Sequence, residues 1–337
     1  MANMQHLKGE NFRFHPVASA SEAREGKVNL VNVGPEPLKP EFGVASEVAG
    51  RSAFEALEAA VEALRNGEID VLVTAPINKA TVQGDDFRFP GHTEYLEARF
   101  KEVVKSPAEG DTASDTTAAA PESEDTGVSE ENGDGQEFFG ELSPKAQMIL
   151  FNDDLKVALL TTHLPLAEVS AHVTQASIIE AVRRFDATLR RDFGCDRPRI
   201  AVLSLNPHAG DDGLLGSEEK DVILPALGRL REKGILAFGP YPSDGFFGSG
   251  EWRKFDGVLA MYHDQGLAPF KTLAGSEGVN YTAGLEIIRT SPDHGTAYDI
   301  AGKMKADPAS MRNAIYNAID IYRRRCRYDE MISNPLG

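Results

Sequence analysis

Apolar residues along this chain follow two alternating spacings. In SAFEALEAAVEALRNG, the residues Phe54, Leu57, Val61 and Leu64 recur at the three- and four-residue spacing of one helix face, and Gly67 ends the stretch. The stretch that follows, IDVLVTAP, is a short continuous apolar run. Such a run predicts a strand that is buried on both faces of a sheet. A helix followed by a buried strand is therefore the first unit that the pattern predicts.

The same alternation continues through the rest of the chain. Further strands are predicted over LKVALLTTHLPL, PRIAVLSLNPHAG, ILAFGPYP, FDGVLAMYHDQG and AGLEIIRTSP. Helices are predicted over SIIEAVRRFDATLRRDFG, EEKDVILPALGRLREKG and DPASMRNAIYNAIDIYRRR. Strands and helices that alternate in this way are typical of an α/β fold, with mainly parallel sheets covered by helices on both faces.

Length and composition indicate an ordinary globular protein. A chain of 337 residues suggests about two domains. No apolar run approaches the roughly 20 residues of a membrane span, and the first residues lack the apolar core of a signal peptide. The two cysteines, Cys195 and Cys326, provide neither a disulfide framework nor a thiolate metal site. We therefore expect a cytoplasmic protein.

The negative charge is concentrated in one segment. The net charge of −17 argues against binding to nucleic acid or to a membrane surface. Residues 106–137 contain ten acidic residues and no Lys or Arg, so the remainder carries about −7. Because this segment has almost no large apolar residues, it cannot bury a core. It is predicted to be a disordered insertion.

Three histidines follow predicted strands: His163 in LTTHLPL, His208 in LSLNPHAGDDG and His263 in AMYHDQG. Ligands bind beyond the carboxyl ends of the strands in open parallel α/β sheets. Three imidazoles at that edge suit a catalytic divalent metal ion with an open coordination position. Asp264, beside His263, is a candidate further ligand or a partner that orients the ring. Each histidine alone would also fit an ordinary loop position.

A second group of candidates is cationic and polar. His92 and Thr93 lie in a loop that a Pro-Gly pair opens, and Lys271, Asn280 and Arg289 lie further along the chain. Cations of this kind favour a phosphorylated or carboxylate substrate. The glycine-rich dinucleotide fingerprint, the P-loop and the serine hydrolase motif are all absent from the sequence.

Taken together, the motifs resemble the 4-hydroxythreonine-4-phosphate dehydrogenase family of pyridoxal phosphate biosynthesis. The stretches that carry the resemblance run from about residue 45 to the C-terminus: DVLVTAPINK, FPGHTEYLE, LTTHLPL, LSLNPHAGDDGLLGSEE, FDGVLAMYHDQGLAPFK and GVNYTAGLEIIRTSPDHGTAYDIAGK. The wider relatives are the isocitrate and isopropylmalate dehydrogenases. HGTAYDIAGK, by itself only a turn, is similar to their adenosine-binding loop, which explains the missing glycine fingerprint.

The resemblance implies a fold of two α/β/α domains with an active-site cleft between them. Residues 1–104 and 282–337 would form the first domain on the cofactor side, and residues 139–281 the second domain on the metal and dimer side. Residues 105–138 would be the acidic insertion. The resemblance also implies a homodimer in which both subunits contribute to each site.

Roles for individual residues are likewise implied by the resemblance. His163, His208 and His263 would bind a divalent metal, zinc first, with magnesium or cobalt as alternatives. His92, Thr93, Lys271, Asn280 and Arg289 would contact the substrate. NAD would lie on a loop formed by His294, Gly295, Thr296, Ala297, Asp299 and Ile300. NADP remains an open alternative to NAD.

The implied activity is NAD-dependent oxidation of 4-phosphooxy-L-threonine, a step in vitamin B6 biosynthesis. The product, 2-amino-3-oxo-4-phosphooxybutanoate, would then lose CO₂ to give 3-amino-2-oxopropyl phosphate. Lys271 and Asp244 are both candidates for moving protons. Two alternatives remain open: a related metal-dependent dehydrogenase of another phosphorylated or acidic hydroxy acid, and a truncated, inactive binding protein.

Two features depart from the family pattern. The acidic segment interrupts it between Lys105 and Phe138. The family also opens with a strand and a glycine-rich T-x-G-D-x-x-G-x-G segment, which this sequence lacks. A start codon assigned too late and a real truncation both explain that difference. The complete set of site residues favours the first, because a decaying sequence would not keep them all consistent.

Overall fold

Ten strands account for the sheets in the part of the chain that the computed structural model describes, namely residues 13–34, 41–101, 139–140 and 142–334. The strands are β1 His15–Val17, β2 Asn29–Val31, β3 Leu72–Val73, β4 Gln147–Phe151, β5 Lys156–Leu159, β6 Arg199–Leu203, β7 Leu236–Tyr241, β8 Gly257–Ala260, β9 Val279–Ala283 and β10 Arg289–Pro292. β1 and β2 pair in parallel with each other. The other eight form one sheet in the order β3-β10-β9-β4-β5-β8-β6-β7.

The large sheet is mixed but mainly parallel. β5, β8, β6 and β7 are parallel neighbours, and β3 is parallel to β10. The three antiparallel pairings lie between these two groups and involve β4 and β9. The predicted α/β architecture with a mainly parallel sheet is therefore confirmed.

Helices cover both faces of this sheet. They are α1 Glu47–Arg65, α2 Lys79–Val82, α3 His92–Lys101, α4 Val169–His172, α5 Gln175–Arg191, α6 Leu224–Glu232, α7 Ser243–Gly248, α8 His263–Ala274 and α9 Ala309–Ser333. Side chains from α5, α6 and α9 pack on one face, and side chains from α7 and α8 pack on the other. A third apolar cluster joins α1 and α3 beside β3. No helix within the described ranges combines the length and the apolar character that a membrane span requires.

The boundaries of these elements follow from local chemistry. Thr174 caps α5 through a reciprocal pair of hydrogen bonds with Ser177, which satisfies two backbone donors at the helix start. Gly266 brings α8 close to the sheet. A methyl group on Gly266 would lie 2.8 Å from Val157 of β5 and 2.9 Å from Ala260 of β8. The helix that begins at His263 is therefore seated directly on two strands.

Several predicted elements differ from those observed. FPGHTEYLE is not a loop, because α3 begins at His92, and His263 begins α8. Within AGLEIIRTSP, Ala283 ends β9 and the next strand begins only at Arg289, because Gly284 has a φ of 80° and turns the chain between β9 and β10. The strands β4 and β9 were not predicted at all. Both are central in the sheet, and QMILF of β4 lacks the polar alternation that marks a half-exposed strand, whereas VNYTA of β9 does alternate.

The predicted division into two domains stays a prediction. Its boundary at residues 281 and 282 falls inside β9, and hydrogen bonds between β9 and β10 continue the sheet across that point. The predicted acidic insertion at residues 106–137 lies outside the described residues.

Candidate functional site

The three candidate metal ligands follow three adjacent strands. β5, β8 and β6 are parallel neighbours in the sheet, so their carboxyl ends meet at one edge. His163 follows β5, His263 follows β8 at the start of α8, and His208 follows β6. The expectation that each histidine lies beyond the end of a parallel strand is therefore confirmed.

His163 and His263 lie close together, and a carboxylate orients each ring. The ring centroids are 6.4 Å apart. Nδ1 of His163 is 2.6 Å from Oε1 of Glu94, and Nδ1 of His263 is 2.7 Å from Oδ1 of Asp264. A carboxylate on Nδ1 fixes the tautomer and leaves Nε2 free, which is how metal-binding histidines are usually held.

His208 borders a different cavity. That cavity, of about 260 Å³, is lined by His208, Asn206, Asp244 and Tyr262, among others. Tyr262 also lines the cavity of about 330 Å³ that contains His163 and His263. Within the described ranges, no three or more His, Cys, Asp or Glu side chains are grouped so that they could hold a metal ion. Convergence of the three histidines on one metal therefore stays a prediction.

Most candidate substrate contacts share one cavity of about 220 Å³. It is lined by His92 and Thr93 from α3, by Asn280 from β9 and by Arg289 from β10. His163 also borders it. Residues from positions 92 to 289 come together here because β10 is hydrogen-bonded to β9 and α3 lies beside β3.

Arg289 is a buried cation in this cavity. Only 3% of its surface is exposed. Its Nε and Nη2 donate to Oγ1 of Thr74 at 3.0 and 2.7 Å, and its Nη1 donates to Oγ1 of Thr282 at 3.2 Å. Burial lowers the pKa of Arg289 to about 10, against the opposing charge of Glu94. The guanidinium therefore remains charged at neutral pH and suits an anionic group.

His92, unlike Arg289, is uncharged at neutral pH. Burial lowers the pKa of His92 to about 3, and the positive charges of Arg289 and Lys79 contribute, while Glu94 opposes the shift. The imidazole is therefore neutral at physiological pH. A neutral ring can both donate and accept a hydrogen bond beside an anionic substrate without adding a third positive charge.

Glu94 is one of the two acidic residues that line the cavity, the other being Asp293. Burial raises the pKa of Glu94, but hydrogen bonding to His163 and the nearby charges of His163 and Lys79 outweigh it, so the net shift is downward. The carboxyl group is therefore ionised at neutral pH. Its two oxygens differ, because Oε1 contacts His163 and Oε2 is buried with no hydrogen-bond partner in the described part of the chain.

The two candidates for proton transfer lie at different places. Lys271 is exposed on α8, and its Nζ donates to the carbonyl oxygen of Asp293 at 3.1 Å. Asp293 lines the cavity of His92 and Arg289, and burial raises the pKa of Asp293 against the charge of Lys271. Asp244 is exposed on α7 and lines the cavity of His208.

The predicted cofactor loop begins at the cavity of His92 and Arg289. His294 and Gly295 line the cavity, and the chain then continues through Thr296 and Ala297, which are exposed. Ala297 has a φ of 51°, so the chain bends sharply before a single helical turn at Tyr298–Ile300, which includes Asp299. These small, exposed residues leave room beside the cavity mouth.

Several residues of the cavity, among them the charged Lys79 and Glu94, were not among the predicted site residues. Lys79 begins α2, and Glu94 lies two positions after His92 in α3. Both lie in stretches that carried the family resemblance, INK and HTE. The signal that could have identified them is charge, since a lysine just after a buried strand and an acid beside two polar site candidates are both unusual neighbours for an apolar core.

The sequence pattern of the family described as pyridoxal phosphate biosynthetic protein PdxA matches residues 1–108 and 128–318. The match thus begins earlier than the resemblance noted from residue 45, and it breaks off inside the acidic segment. A 4-hydroxythreonine-4-phosphate dehydrogenase of Bacteroides thetaiotaomicron is 49% identical over 323 residues, which is 96% of this chain and 78% of that protein.

Solved structures show the same relationship. The crystal structure of a 4-hydroxythreonine-4-phosphate dehydrogenase from Klebsiella pneumoniae superposes with a TM-score of 0.69 at 33% identity, covering 95% of this chain and 87% of that one. A terephthalate 1,2-cis-dihydrodiol dehydrogenase from Burkholderia xenovorans superposes with a TM-score of 0.54 at 22% identity, covering 95% and 87%. At that identity the second structure supports the fold alone.

Proposed function

This chain belongs to the family of the pyridoxal phosphate biosynthetic protein PdxA, and from that premise we propose that it oxidises 4-phosphooxy-L-threonine with NAD⁺. The secondary alcohol loses a proton and a hydride, and NAD⁺ accepts the hydride. The product is 2-amino-3-oxo-4-phosphooxybutanoate, a β-keto acid, which loses CO₂ to give 3-amino-2-oxopropyl phosphate. The names of the relatives do not favour a dehydrogenase of another hydroxy acid or an inactive binding protein.

One observation carries this proposal. A single cavity contains a buried guanidinium, a neutral imidazole, an amide, and the start of the predicted cofactor loop. The substrate requires cations for its phosphate and carboxylate groups, and polar groups to orient its alcohol. Arg289 is fixed by two threonines before any ligand binds, so little side-chain freedom is lost on binding.

A divalent metal fits the donor set beside this cavity. His163 and His263 have their Nδ1 atoms engaged by carboxylates, which leaves two Nε2 atoms as neutral nitrogen donors. A metal held there would supply Lewis-acid chemistry, lowering the pKa of the alcohol and polarising the ketone. Zinc is the ion that such nitrogen ligands suit first, with magnesium or cobalt as alternatives.

His208 is the third proposed ligand, and a second copy of the chain is the proposed source of part of the site. His208 lies in a loop that also exposes 79% of Leu214 and 42% of Leu215. Apolar side chains this exposed are typical of a surface that a partner covers. A homodimer in which the three histidines come from both subunits agrees with the absence of a complete ligand set in the described part of one chain.

NAD fits the loop that leads away from the cavity. His294 and Gly295 border both the cavity and the loop, and Thr296, Ala297, Asp299 and Ile300 continue it along the surface. Gly295 has no side chain and Ala297 has only a methyl group, so a planar ring can approach the backbone there. NAD would supply the hydride acceptor next to the substrate alcohol.

Proton transfer is assigned to Lys271, with Asp244 as the alternative. Lys271 contacts Asp293, which lines the substrate cavity, whereas Asp244 borders the cavity of His208. An ammonium at the cavity mouth suits delivery of a proton to the carbon that has lost CO₂. The Nζ atom of Lys271 is the donor in this assignment.

The test is the appearance of NADH when the purified chain is mixed with NAD⁺, 4-phosphooxy-L-threonine and a divalent metal. Release of CO₂ in equal amount checks the second step. Threonine without the phosphate is the matched control and should react far more slowly, because Arg289 would lack its anion. No NADH with the phosphorylated substrate under any metal would overturn the proposal.

A further inference from the structure

We propose that Glu219 is a positioning residue, which holds the loop that carries His208 and so sets where this histidine can meet a metal ion. The inference rests on the proposed function, in which His208 is the third metal ligand, and adds a residue to it. Two observations support it. The buried carboxylate of Glu219 accepts three hydrogen bonds from the start of the loop, and the backbone at His208 is left-handed over several residues.

His208 differs from the other two proposed ligands in how its ring is held. His163 and His263 each have a carboxylate on Nδ1. In the described part of the chain, the ring of His208 has no such partner, and the residue is exposed. The position of His208 is therefore set by the backbone of the loop that follows β6.

The backbone of this loop has an unfavourable conformation. From His208 to Asp212, five consecutive residues have φ angles between 45° and 78°, and only Gly210 among them lacks a side chain. Left-handed backbone brings Cβ close to a carbonyl oxygen, so residues with a side chain adopt it rarely and mostly one at a time. A run of this length persists only where the surrounding structure holds it. The turn at His208 therefore depends on a fixed support.

Glu219 provides that support from the segment that follows the loop. It begins a five-residue π-helical segment, Glu219–Ile223, and only 4% of its surface is exposed. Its Oε1 accepts from the backbone N–H groups of Leu205 at 2.8 Å and of Asn206 at 2.7 Å. Its Oε2 accepts from Nδ2 of Asn206 at 3.0 Å. One carboxylate therefore fixes the two residues that lie just before the turn.

The middle of the left-handed run packs against the same carboxylate. A methyl group on Gly210 would lie 2.7 Å from Oε2 of Glu219 and 2.9 Å from the carbonyl oxygen of Gly216. The N–H of Leu215 donates to the carbonyl oxygen of Gly210 at 3.0 Å. These contacts leave Gly210 no room to move towards the carboxylate. Glu219 thus contacts both the beginning and the middle of the turn that carries His208.

The zinc affinity of the metal-free full chain, titrated in competition with a chelator, tests this role. Glu219→Leu removes all three hydrogen bonds and should weaken zinc binding by roughly 10- to 100-fold, as is usual when a group that orients a metal ligand is lost. Glu219→Gln keeps an oxygen for the two backbone N–H groups but turns an NH₂ group towards Nδ2 of Asn206. A smaller loss of roughly 3- to 10-fold, the value of one hydrogen bond, is expected.

The matched control is Glu218→Gln, which should change zinc affinity by less than about twofold. Glu218 is the neighbouring acid, and its hydrogen bond to the loop is to the side chain of Asn206. Urea unfolding of each metal-free variant checks that the titrated chain is folded. A residue that only stabilised the fold would lower the urea midpoint and leave the zinc affinity of the folded chain unchanged.

A double variant tests whether Glu219 acts through His208. In a chain that already carries His208→Ala, Glu219→Leu should weaken zinc binding no further, because two residues that act as a unit do not have additive effects. If Glu219→Leu does not fold, Glu219→Gln takes its place in both backgrounds.

The outcomes separate this inference from the proposed function. If the wild-type chain binds zinc and oxidises the substrate but the Glu219 variants bind zinc as tightly, the inference alone is wrong. Equal losses in the wild-type and His208→Ala backgrounds would also overturn it, since Glu219 would then act independently of His208. If the wild-type chain binds no divalent metal, or His208→Ala keeps full zinc affinity, the metal assignment in the proposed function fails and this inference fails with it.

Discussion

Arg289 is a cation fixed before the substrate arrives, and its loss should mainly affect substrate use. Arg289→Ala leaves the substrate anion without its buried partner, which costs about 2 kcal/mol or more, equivalent to at least roughly 30-fold in kcat/KM. Steady-state kinetics with 4-phosphooxy-L-threonine measure the effect. Arg323→Ala is the control, because the side chain of Arg323 is 71% exposed. Kinetics unchanged within about twofold for Arg289→Ala would remove this residue from the site.

Replacing His208 tests the proposal that three histidines bind one metal ion. His208→Ala should lower metal content and activity together, because it removes one of three proposed nitrogen ligands. Elemental analysis of the purified variant gives the metal stoichiometry. His172→Ala is the control, since His172 lies at the end of α4, where its ring is hydrogen-bonded to the backbone oxygen of Glu168. Full metal content in His208→Ala would contradict the assignment.

His92 should make stability depend on pH. Its pKa is about 3 in the folded chain and 6.5 in the absence of the fold, so the unfolded chain binds more protons between those values. The contribution of the neutral ring to the free energy of unfolding is therefore complete above about pH 6.5. It is lost as the pH falls towards 3. Urea unfolding of wild type and His92→Gln across this range measures it. The two stability curves should converge towards pH 3, and parallel curves would contradict the expectation.

At the scale of elements, Gly266 allows α8 to pack closely against β5 and β8. Gly266→Ala should destabilise the fold by about 1–3 kcal/mol, because the new methyl group would overlap Val157, Leu159 and Ala260. Gly228→Ala on α6 is the matched control. Nothing lies within 4 Å of the added methyl there, so it should stabilise the chain by about 0.5–1 kcal/mol. Chemical denaturation distinguishes the two, and equal effects would show that packing at Gly266 is not tight.

The helical stripe of α1 and the strands before the three histidines could be predicted, because each depends on a short local pattern. The start of α3 at His92 could not, since the Pro-Gly pair before it is typical of a turn and the helix depends on packing of Tyr95 and Leu96. β4 and β9 also depend on pairing with distant strands. The cavity itself was predictable only as a set of residue types, because Thr74 meets Arg289, and Glu94 meets His163, only through long-range contacts.

At the scale of the whole molecule, a buried network joins α5, β9 and α9. Arg325 donates to both oxygens of Asp192 at 2.9 and 3.1 Å, and the hydroxyl of Tyr281 donates to Asp192 at 2.6 Å. Arg325→Met leaves a buried carboxylate unpaired and should destabilise the fold by about 3–5 kcal/mol in urea unfolding. The double variant with Asp192→Leu should recover part of that loss. If the single variant matches wild type, the network does not hold these elements together.

The pairing of β3 with β10 has a consequence for the synthesis of this protein. Thr74 and Arg289, which hydrogen-bond across these strands, are 215 residues apart in sequence. At roughly 5–20 residues per second, a ribosome takes about 10–40 s to make the chain between them. During that interval β3 has no strand to pair with in the large sheet, and the cavity that Arg289 lines is incomplete. A nascent chain interrupted before Arg289 therefore contains all three histidines but lacks the cation that is proposed to bind the phosphate.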